Sequence, residues 1–432
     1  MDILHDFMLN FESVFTLPAF GKFVRLLQGF MQTHAPKALT ELNSNLPQDS
    51  HFCGVYDFLN RYAWSHLDLA QRLLDWYVET LLKRQRFLLV VDDTKAFKPH
   101  ARKMEGICWH PEHHRRVQTK ATTETGEEVT ATGVVGERGH SWVVLGALHR
   151  RDTGHWNCFP LRAGLFVREK YCPETFQTKL EIAESLFNSL TWPQKPLLVG
   201  DNFYAAARFV NQLDGHVLSH LKATAVAFES VESPSKPKRG RPQIYGRKVH
   251  LATELDDPAK MTHHEVFVYG EQKKIQTAAF VGRLRGHHHP VKIILVKGLR
   301  KANFLLFSTD LELSDVQMIE YYAARFQIEI AFRELKQDLG AFNYRLKHLS
   351  GFQNYLHVAF VAYALLKYLA IQGIVTTPVT PWYEPKGLAT PATVQKAVFQ
   401  YLQALRIFQG LHKQAIPKEN ISLNDFMRFY AS

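Results

Sequence analysis

Acidic residues stand at three widely separated places in the sequence where they could hold metal ions. Asp92 and Asp93 follow the apolar run RFLLVV, Asp201 follows the similar run PLLVG, and Glu329 lies in a helical pattern further on. Cleaving a phosphodiester and transferring it to a hydroxyl requires the charge on the attacking and leaving oxygens to be neutralised. Two magnesium ions about 4 Å apart do this, and hard carboxylate oxygens hold them. We therefore predict that these acidic residues catalyse metal-dependent phosphodiester chemistry. Magnesium is the expected metal, and manganese is a possible substitute.

Only one of the first two acids is expected to bind metal. Successive residues of a strand point to opposite faces of a sheet, so Asp92 and Asp93 face different sides. Asp92 is favoured because it forms an Asp-x-Thr pattern with Thr94, and Asp93 remains the alternative. Asp201 is unambiguous, because the residues after it begin a helix. The predicted metal ligands are therefore Asp92, Asp201 and Glu329.

Glu329 lies in residues 318–340, which have the pattern of one amphipathic helix. Ser314 is a suitable N-cap before it, and Gly340 follows its last turn, as helix-ending glycines commonly do. Its apolar stripe consists of Ile328, Phe332 and Leu335. We therefore predict a single helix that buries one side and presents another side to the site.

A second stripe of this helix is polar. It consists of Tyr322, Arg325, Glu329 and Lys336, spaced by three, four and seven residues. At about 100° per residue they fall within roughly 60° of one another and share one face. A carboxylate beside a phenol, a guanidinium and an ammonium is suited to holding a metal next to a phosphate chain. The alternative is a solvated face with weak surface ion pairs, which the same spacings also produce.

The order of the elements around the acids indicates a mixed α/β sheet. Apolar and β-branched patterns predict strands at 86–93, 127–136, 140–149 and 196–201, and amphipathic patterns predict helices at 174–190 and 204–213. In sheets of this kind, sites form at the carboxyl ends of strands, which is where the aspartates stand.

Residues 222–313 differ in character from the rest. Short β-rich segments replace helical periodicity, and 16 Lys and Arg against nine Asp and Glu give a net charge of +7, most of the +11 of the chain. Such basic surfaces favour nucleic acid. In the most basic stretch, 233–248, Lys238, Arg239 and Arg241 resemble the core of an AT-hook, which enters the narrow minor groove of A·T tracts. A plain basic loop is the alternative.

Both ends of the chain are predicted to be helical. Apolar spacings in 1–84 fit compact helices, which form either a helix-turn-helix DNA reader or a structural cap, with DNA binding slightly favoured. The predicted division is 1–84 as a helical DNA-binding region, 85–221 as the first part of a catalytic core, 222–313 as a β-rich basic insertion, 314–373 as the last part of the core with the glutamate helix, and 374–432 as a helical C-terminal region.

Other classes of protein fit the composition less well. The N-terminus carries acids rather than the basic stretch of a secretory signal, and the apolar residues 355–373 include His357 and Lys367, which favours a buried helix over a membrane span. The four cysteines form no CxxC pattern and are expected to be reduced thiols of a cytoplasmic protein. Zinc is disfavoured at Cys108–His114 and His287–His289, which are interpreted as a basic loop and a solvated turn.

Taken together, the segments around the acids resemble a known family. VVDDTKA, LLVGDNFYAA and YYAARFQIEIAFRELKQDLG, preceded by VYDFLNRYAWS, resemble DDE transposases of the bacterial insertion-sequence class with the Tyr-Arg-Glu-Lys (YREK) signature, over roughly residues 50–370. The resemblance implies a ribonuclease-H-like core with a β-rich insertion and two magnesium ions. It also implies cut-and-paste movement of a DNA element by a homodimer that acts on terminal inverted repeats and target DNA. Tyr322, Arg325 and Lys336 would contact the element end.

One departure from the family concerns its hairpin intermediate. Related enzymes that form a hairpin use a tryptophan of the insertion to stabilise a flipped base, whereas residues 222–313 contain no tryptophan. Tyr245 or a phenylalanine would have to stack in its place. Two other functions stay open, a DNA-binding protein derived from a transposase and a nuclease without strand transfer. In each case double-stranded DNA is the expected partner, no membrane is involved, and the protein is expected in the cytoplasm, associated with the nucleoid.

Neutralising Lys238, Arg239 and Arg241 together is expected to weaken the salt dependence of DNA binding. Phosphate contacts release counterions, so the slope of log K against log salt should fall by about two to three, near 0.9 per lost contact. Affinities measured at several salt concentrations for wild type and triple variant test this. An unchanged slope would mean that the loop is merely solvated, and equal losses on A·T-rich and G·C-rich duplexes would remove the minor-groove interpretation.

Overall fold

The structure is a computed structural model. It describes residues 3–33, 38–44, 52–122, 128–231, 243–377 and 387–412. Lys238, Arg239 and Arg241 lie outside these ranges, so their DNA contacts stay predictions. The helices are α1 (Ile3–Leu9), α2 (Leu17–Gln32), α3 (Leu39–Ser44), α4 (Phe52–Asn60), α5 (His66–Tyr77), α6 (Lys179–Asn188), α7 (Ala207–Val210), α8 (Leu251–Glu254), α9 (Asp315–Ala324), α10 (Phe326–Gln337), α11 (Leu349–Ile371) and α12 (Pro391–His412). The strands are β1 (Leu88–Phe97), β2 (Cys108–Thr122), β3 (Glu128–Arg150), β4 (Trp156–Phe166), β5 (Leu197–Gly200), β6 (His216–Leu221), β7 (Val226–Ser230), β8 (Tyr245–His250), β9 (Thr262–Val268), β10 (Glu271–Leu284), β11 (Val291–Lys297) and β12 (Phe304–Ser308).

The strands of the described ranges form one mixed sheet. Its order is β2-β3-β1-β5-β6-β12-β11-β10-β7-β8, with β4 paired to β3 and β9 paired to β10. β1, β5 and β6 run parallel to one another, whereas β3 runs antiparallel to β1 and to β4. Helices lie at both ends of the chain. The predicted mixed α/β class is therefore confirmed.

The prediction of two strands at 127–136 and 140–149 is wrong. Both segments belong to the single long strand β3, and the glycines between them do not form a turn. A Cβ at Gly139 would lie 2.5 Å from the backbone oxygen of Ala96, and a Cβ at Gly136 would lie 2.4 Å from that of His110. These glycines therefore permit the close approach of neighbouring strands.

Two strands that pair with β3 have no counterpart in the prediction. β2 is rich in polar residues, and it begins with Cys108–His114, for which the sequence predicts a basic loop. β4 contains Pro160, which normally argues against a strand, but the register shifts there and leaves Leu161 as a bulge. The helix predicted at 204–213 is also shorter than expected, since a 3₁₀ turn over Asn202–Ala205 precedes the four-residue α7.

Residues 222–313 are β-rich, as predicted, and their strands continue the same sheet. β12 pairs with β6 of the preceding segment, with Leu305 opposite Leu221. Residues 248–255, KVHLATEL, are only partly a strand. β8 ends at His250, and α8 follows directly. The chain thus passes from 85–221 into 222–313 without leaving the sheet.

The predicted single helix over 318–340 is divided into α9 and α10 at Arg325. The backbone angles of Arg325 are helical, but its N–H donates to the carbonyl oxygen of Tyr322 and its own carbonyl accepts from Ile328, so the turn is tightened to i→i+3 bonds. The predicted cap is confirmed, because Ser314 and Gln317 form a reciprocal capping box. Gly340 has a positive φ of 62°, as expected after a helix end.

The helix α11 is buried in the centre of the protein. It is long and apolar enough to cross a membrane, but 89% of its most apolar window is buried inside the protein, as predicted for 355–373. The N-terminal helices α2, α4 and α5 pack against it, and their aromatic residues share one core with the sheet. α12 packs on α2, where the Gln395 side chain donates to backbone oxygens of Phe30 and Thr33. This packing fits the interpretation of residues 1–84 as a structural cap. Both that role and DNA binding by these residues stay predictions.

A buried ion pair fixes α10 against α11. The carboxylate of Glu334 accepts from Lys367 Nζ at 2.8 Å and from the hydroxyl of Tyr363 at 2.6 Å, and both charged side chains are 8% exposed. Buried charges are tolerated when they are paired and fully hydrogen-bonded, and removing one partner leaves the other uncompensated. The position of α10, which carries Glu329, therefore depends on this pair.

The Lys367→Met substitution is expected to destabilise the fold by about 3–5 kcal/mol, because it leaves the Glu334 charge buried without a partner. Urea unfolding of the variant measures this. Lys195→Met, at an exposed position, is the control and should change little. Adding Glu334→Leu to Lys367→Met should recover part of the loss, and equal stability of Lys367→Met and wild type would contradict the assignment.

Candidate active site

Asp92 and Asp201 lie side by side on the neighbouring central strand β1 and just after the neighbouring central strand β5. The side of the sheet to which the carboxyl end of β5 points is called the acidic edge. Val90 of β1 pairs with Val199 of the parallel strand β5, and each aspartate follows two residues later. Asp201 also begins the 3₁₀ turn after β5, where its carboxylate accepts from the N–H of Phe203 at 3.0 Å. The predicted strand end at residue 93 is wrong, because β1 continues through Asp92 to Phe97 in its pairing with β3. The two acids meet because β1 and β5 run parallel and in register up to two residues before each of them.

The carboxylate of Asp92 is mostly buried and carries an unusual pKa. It accepts from Arg325 Nη1 and from the N–H of Asp93, each at 2.8 Å. Burial raises the pKa of Asp92 to about 6, and the charges of Asp201 and Asp93 act in the same direction. The Asp93 N–H and the Arg325 guanidinium oppose this shift only in part. Burial is thus the main reason why the Asp92 carboxyl resists ionisation, and the neighbouring aspartates add to it.

Asp93 faces the opposite side of the sheet from Asp92, as strand alternation predicts. Its carboxylate accepts from Lys179 Nζ at 2.6 Å, at the first residue of α6. Asp92 instead faces α10, so Asp92 and not Asp93 contacts the helix that carries Glu329. This geometry agrees with the preference for Asp92, while the catalytic role of either residue stays a prediction.

Arg325 joins strand β1 to helix α10. Its Nη1 contacts Asp92, and its Nη2 donates to Glu329 Oε1 at 2.7 Å. Burial alone would lower the pKa of Arg325, but Asp92, Tyr322 and Glu329 outweigh burial and raise it. Glu329 remains 43% exposed, so its carboxylate is accessible from solvent. One guanidinium thus brings two of the three predicted ligands together.

The two other members of the polar stripe are placed differently. The ring of Tyr322 is buried and stacks on His220, with ring centres 6.2 Å apart, and burial raises its pKa. Lys336 lies two turns beyond Glu329, with its Nζ 5.9 Å from the centre of the Phe342 ring, and burial lowers its pKa. The structure thus joins Tyr322, Arg325 and Glu329 into one group and leaves Lys336 at the far end of the helix.

Tyr204 is a site residue that the sequence did not single out. Its side chain is 1% exposed, and its hydroxyl is a buried polar atom without a hydrogen-bond partner in the described part of the chain. Burial raises its pKa well above 10, and the charges of Asp93, Asp92 and Asp201 act in the same direction. Only the tertiary fold reveals that the phenol is near enough to the aspartates to be affected by their charges, because an aromatic residue after an acidic position is commonly core.

The family of the chain is established by comparison. A family model described as DDE superfamily endonuclease matches residues 11–287, nearly two thirds of the chain. The protein belongs to the DDE superfamily endonucleases. No curated protein sequence matches the chain. The matched range includes both aspartate strands but ends before Glu329, whose assignment rests on the geometry of α10.

Membership of the DDE endonucleases implies a DNA substrate and divalent metal ions, and the residues present fit such ions. The donors are hard carboxylate oxygens, and the pKa of the Asp92 carboxyl is raised by burial and further by Asp201 and Asp93. In the described ranges, no three His, Cys, Asp or Glu side chains form a ready metal-ligand group. Asp92 and Glu329 are instead held by Arg325. Asp92, Asp201 and Glu329 would hold the ions, once Arg325 releases its two carboxylates.

The segments considered for zinc lie elsewhere. Cys108 Sγ is 3.3 Å from His110 Nε2, which also contacts the backbone oxygen of Gly139, and the side chains of His113 and His114 lie outside the described residues. The interpretation of His287–His289 as a solvated turn is wrong in part. The segment is a turn, but His287 is buried and packs against Phe307, with ring centres 5.6 Å apart.

Asp92→Asn is expected to raise the stability of the folded protein at neutral pH. Because folding raises the pKa of Asp92 from 3.8 to about 6, the folded state holds a proton that the unfolded state has lost between these values. Wild-type stability therefore falls as pH rises through this range, whereas the amide does not titrate.

Thermal unfolding of both proteins from pH 3.5 to pH 8 measures the difference. It should be small at the acidic end and grow to at most ~3 kcal/mol above pH 6. Asp152→Asn, at an exposed position, is the matched control and should follow wild type. A constant difference across the range would contradict the charge balance described for the site.

Proposed function

We propose that this DDE endonuclease is a DNA transposase that catalyses metal-dependent cleavage and strand transfer at the ends of an insertion sequence. The observation that carries the proposal is the contact of Arg325 with both Asp92 and Glu329 beside Asp201. Arg325 and Glu329 belong to the Tyr-Arg-Glu-Lys pattern, and the fold brings them next to two aspartates from distant parts of the chain.

A ribonuclease-H-like core is the fold proposed for the catalytic part. Its support is the order of strands around the acids. β1, β3 and β4 form an antiparallel series, and β5 and β6 continue in parallel on the other side of β1, with α6 between the two groups in sequence. Asp92 then lies within β1 just past the point where β1 stops pairing with β5, Asp201 follows the end of β5, and Glu329 lies on the helix that begins at the arginine in contact with Asp92.

In the proposed reaction the acidic residues hold the metal ions, and Arg325 balances their charge. When bound, two divalent ions, magnesium or manganese, would neutralise charge on the attacking and leaving oxygens. Asp92 and Asp201 hold fixed positions on the sheet, and Glu329 approaches from α10. Arg325 keeps Asp92 and Glu329 neutralised before the ions bind, and its guanidinium is then available for a DNA phosphate, for which its planar donors are suited.

Exposed aromatic side chains beside the acids offer a surface for unpaired bases. Phe203 is 48% exposed two residues after Asp201, and Phe326 is 46% exposed next to Arg325. Tyr245, a replacement considered for the missing tryptophan, packs against Phe228 with ring centres 4.9 Å apart, and its hydroxyl accepts from the Gly286 N–H. Phe203 and Phe326 are therefore better placed than Tyr245 to stack on a base near the acids.

The proposal includes a homodimer that binds terminal inverted repeats and target DNA in the bacterial cytoplasm. A nuclease that cuts without strand transfer is the second candidate, because the family match alone covers it equally well. A DNA-binding protein without cleavage is disfavoured by the intact acids. Cleavage of an element end and capture of a target plasmid distinguish these functions.

Asp201→Asn and Glu329→Gln are each expected to lower cleavage by ~10³-fold or more, because each removes a ligand of the charge-neutralising ions. DNA affinity should stay close to wild type, since carboxylates repel phosphates. The substrate is a duplex with the inverted repeats that flank the reading frame, incubated with magnesium. Gel shift measures binding, and denaturing gels measure cleavage.

Glu312→Gln is the matched control, because Glu312 is an exposed acid away from the site. It should bind, cut and join like wild type. Joining of the cut end to a plasmid supports transposition, whereas cutting without joining supports the nuclease alternative. Loss of binding together with cleavage in the Asp201 or Glu329 variant would contradict the assigned roles.

A further inference from the structure

Three basic residues lie along the acidic edge, beside the acids but outside the group described so far. β6 runs parallel to β5, and β12 runs antiparallel to β6, so the end of β6 and the start of β12 lie at the edge where Asp201 follows β5. Lys222 directly follows β6, and Arg300 and Lys301 lie in the turn before β12. All three are exposed, and within the described ranges none of them forms an ion pair.

Arg300 is connected to the acidic edge by a column of rings. Its guanidinium carbon lies 4.9 Å from the centre of the Phe304 ring. Phe304 stacks on His220, and His220 stacks on Tyr322, with ring centres 6.1 and 6.2 Å apart. Burial lowers the pKa of His220, and the charge of Arg300 lowers it further, whereas Asp201 raises it. Arg300 and Asp201 are therefore both close enough to act on one imidazole.

Tyr269 is an exposed aromatic residue at the tip of the β9–β10 hairpin. Val268 pairs with Glu271, so Tyr269 and Gly270 form a two-residue turn, with positive φ angles of 56° and 83°. Such turns favour Asn-Gly, and a tyrosine in the first position is unfavourable for the backbone. Its side chain is 52% exposed, so burial does not compensate for this cost. The position of this ring therefore calls for a role in binding.

Two cations lie beside the exposed ring. Arg300 Nη2 donates to the Tyr269 hydroxyl at 3.5 Å, and Lys273 Nζ lies 6.0 Å from the centre of the ring. An aromatic surface for a base, next to cations for the neighbouring phosphates, is the usual composition of a site for single-stranded nucleic acid. A duplex keeps its bases stacked inside and offers mainly phosphates, so it would leave the ring unused.

We propose that Tyr269, Arg300, Lys301 and Lys222 form a surface that binds single-stranded DNA beside the acidic edge. This inference rests on the proposed function, because it assigns to the surface the unpaired strand next to the cleaved bond. One base stacks on Tyr269, and the basic side chains contact the phosphates around it. The charge of this region suits such a strand, since residues 291–308 contain four Lys and Arg and no Asp or Glu.

Tyr269→Asn tests the ring, because asparagine is favoured at this turn position and should keep the fold. Fluorescence anisotropy measures binding of a labelled oligothymidine of about 10 nucleotides, a typical site length, in EDTA so that no DNA is cut. Affinity should fall about fivefold or more, which is the low end of what one stacked base contributes. Tyr269→Phe keeps the ring and should bind like wild type, and a duplex of the same length should bind all three proteins nearly equally.

Tyr171→Asn is the matched control for the ring. Tyr171 is 49% exposed and has Lys170 Nζ 4.7 Å from its ring centre, but it lies in the turn after β4. Its loss should leave single-strand affinity unchanged, and the Tm of Tyr269→Asn should equal or exceed that of wild type. Equal affinity of wild type and Tyr269→Asn, or an equal loss in Tyr171→Asn, would overturn the proposal.

Arg300→Gln tests the phosphate contact. The slope of log K against log salt for the oligothymidine should fall by about 0.7, the value for one contact to a single strand. Lys195→Gln removes an exposed lysine before β5, at the opposite end of that strand, and should keep the wild-type slope. An unchanged slope in Arg300→Gln would contradict the part assigned to this residue.

Cleavage of an element-end duplex with magnesium is measured separately, so the surface and the proposed function can fail independently. A wild type that cuts DNA but binds oligothymidine without dependence on Tyr269 would overturn the surface alone. A wild type that never cuts, yet binds oligothymidine through Tyr269 and Arg300, would support the surface and contradict the proposed function.

Discussion

The guanidinium of Arg325 holds together the two parts of the chain that carry the acidic residues. Asp92 lies 233 positions before it in sequence and Glu329 four positions after it, and both carboxylates accept from its Nη atoms. The helix bearing Glu329 is also fixed further along by the buried pair of Glu334 and Lys367. α10 is therefore anchored at two points, one at the acidic edge and one in the core, and both anchors are ion pairs.

These two ion pairs differ in what surrounds them. Glu334 is fully satisfied by Lys367 and Tyr363, so that pair is structural. At the acidic edge, Asp92 retains a raised pKa in spite of Arg325, because burial and the neighbouring aspartates outweigh one guanidinium. Carboxylates whose pKa is raised by burial and by one another are typical of functional sites, which is consistent with the proposed metal-binding role of this group.

The alternation of Asp92 and Asp93 and the cap at Ser314 could be predicted from local sequence rules, and both agree with the structure. The end of β1 could not, because pairing with β3 extends that strand through both aspartates to Phe97. β2, β4 and the continuity of β3 depend on pairing across the sheet, where Gly139 permits close strand approach and a bulge accommodates Pro160. The placement of Tyr204 among the aspartates likewise requires the tertiary fold.

We propose that Asp92, Asp201 and Glu329 form one divalent-metal site. Iron-mediated cleavage of the protein backbone tests it most directly: Fe²⁺ replaces magnesium, ascorbate and peroxide generate radicals at the bound metal, and mass spectrometry maps the cuts. Cuts are expected around Asp92 in the middle of β1, after the end of β5 and in the first turn of α10, all suppressed by excess magnesium. Cuts confined to other segments, such as His287–His289, or cuts that magnesium does not suppress, would contradict it.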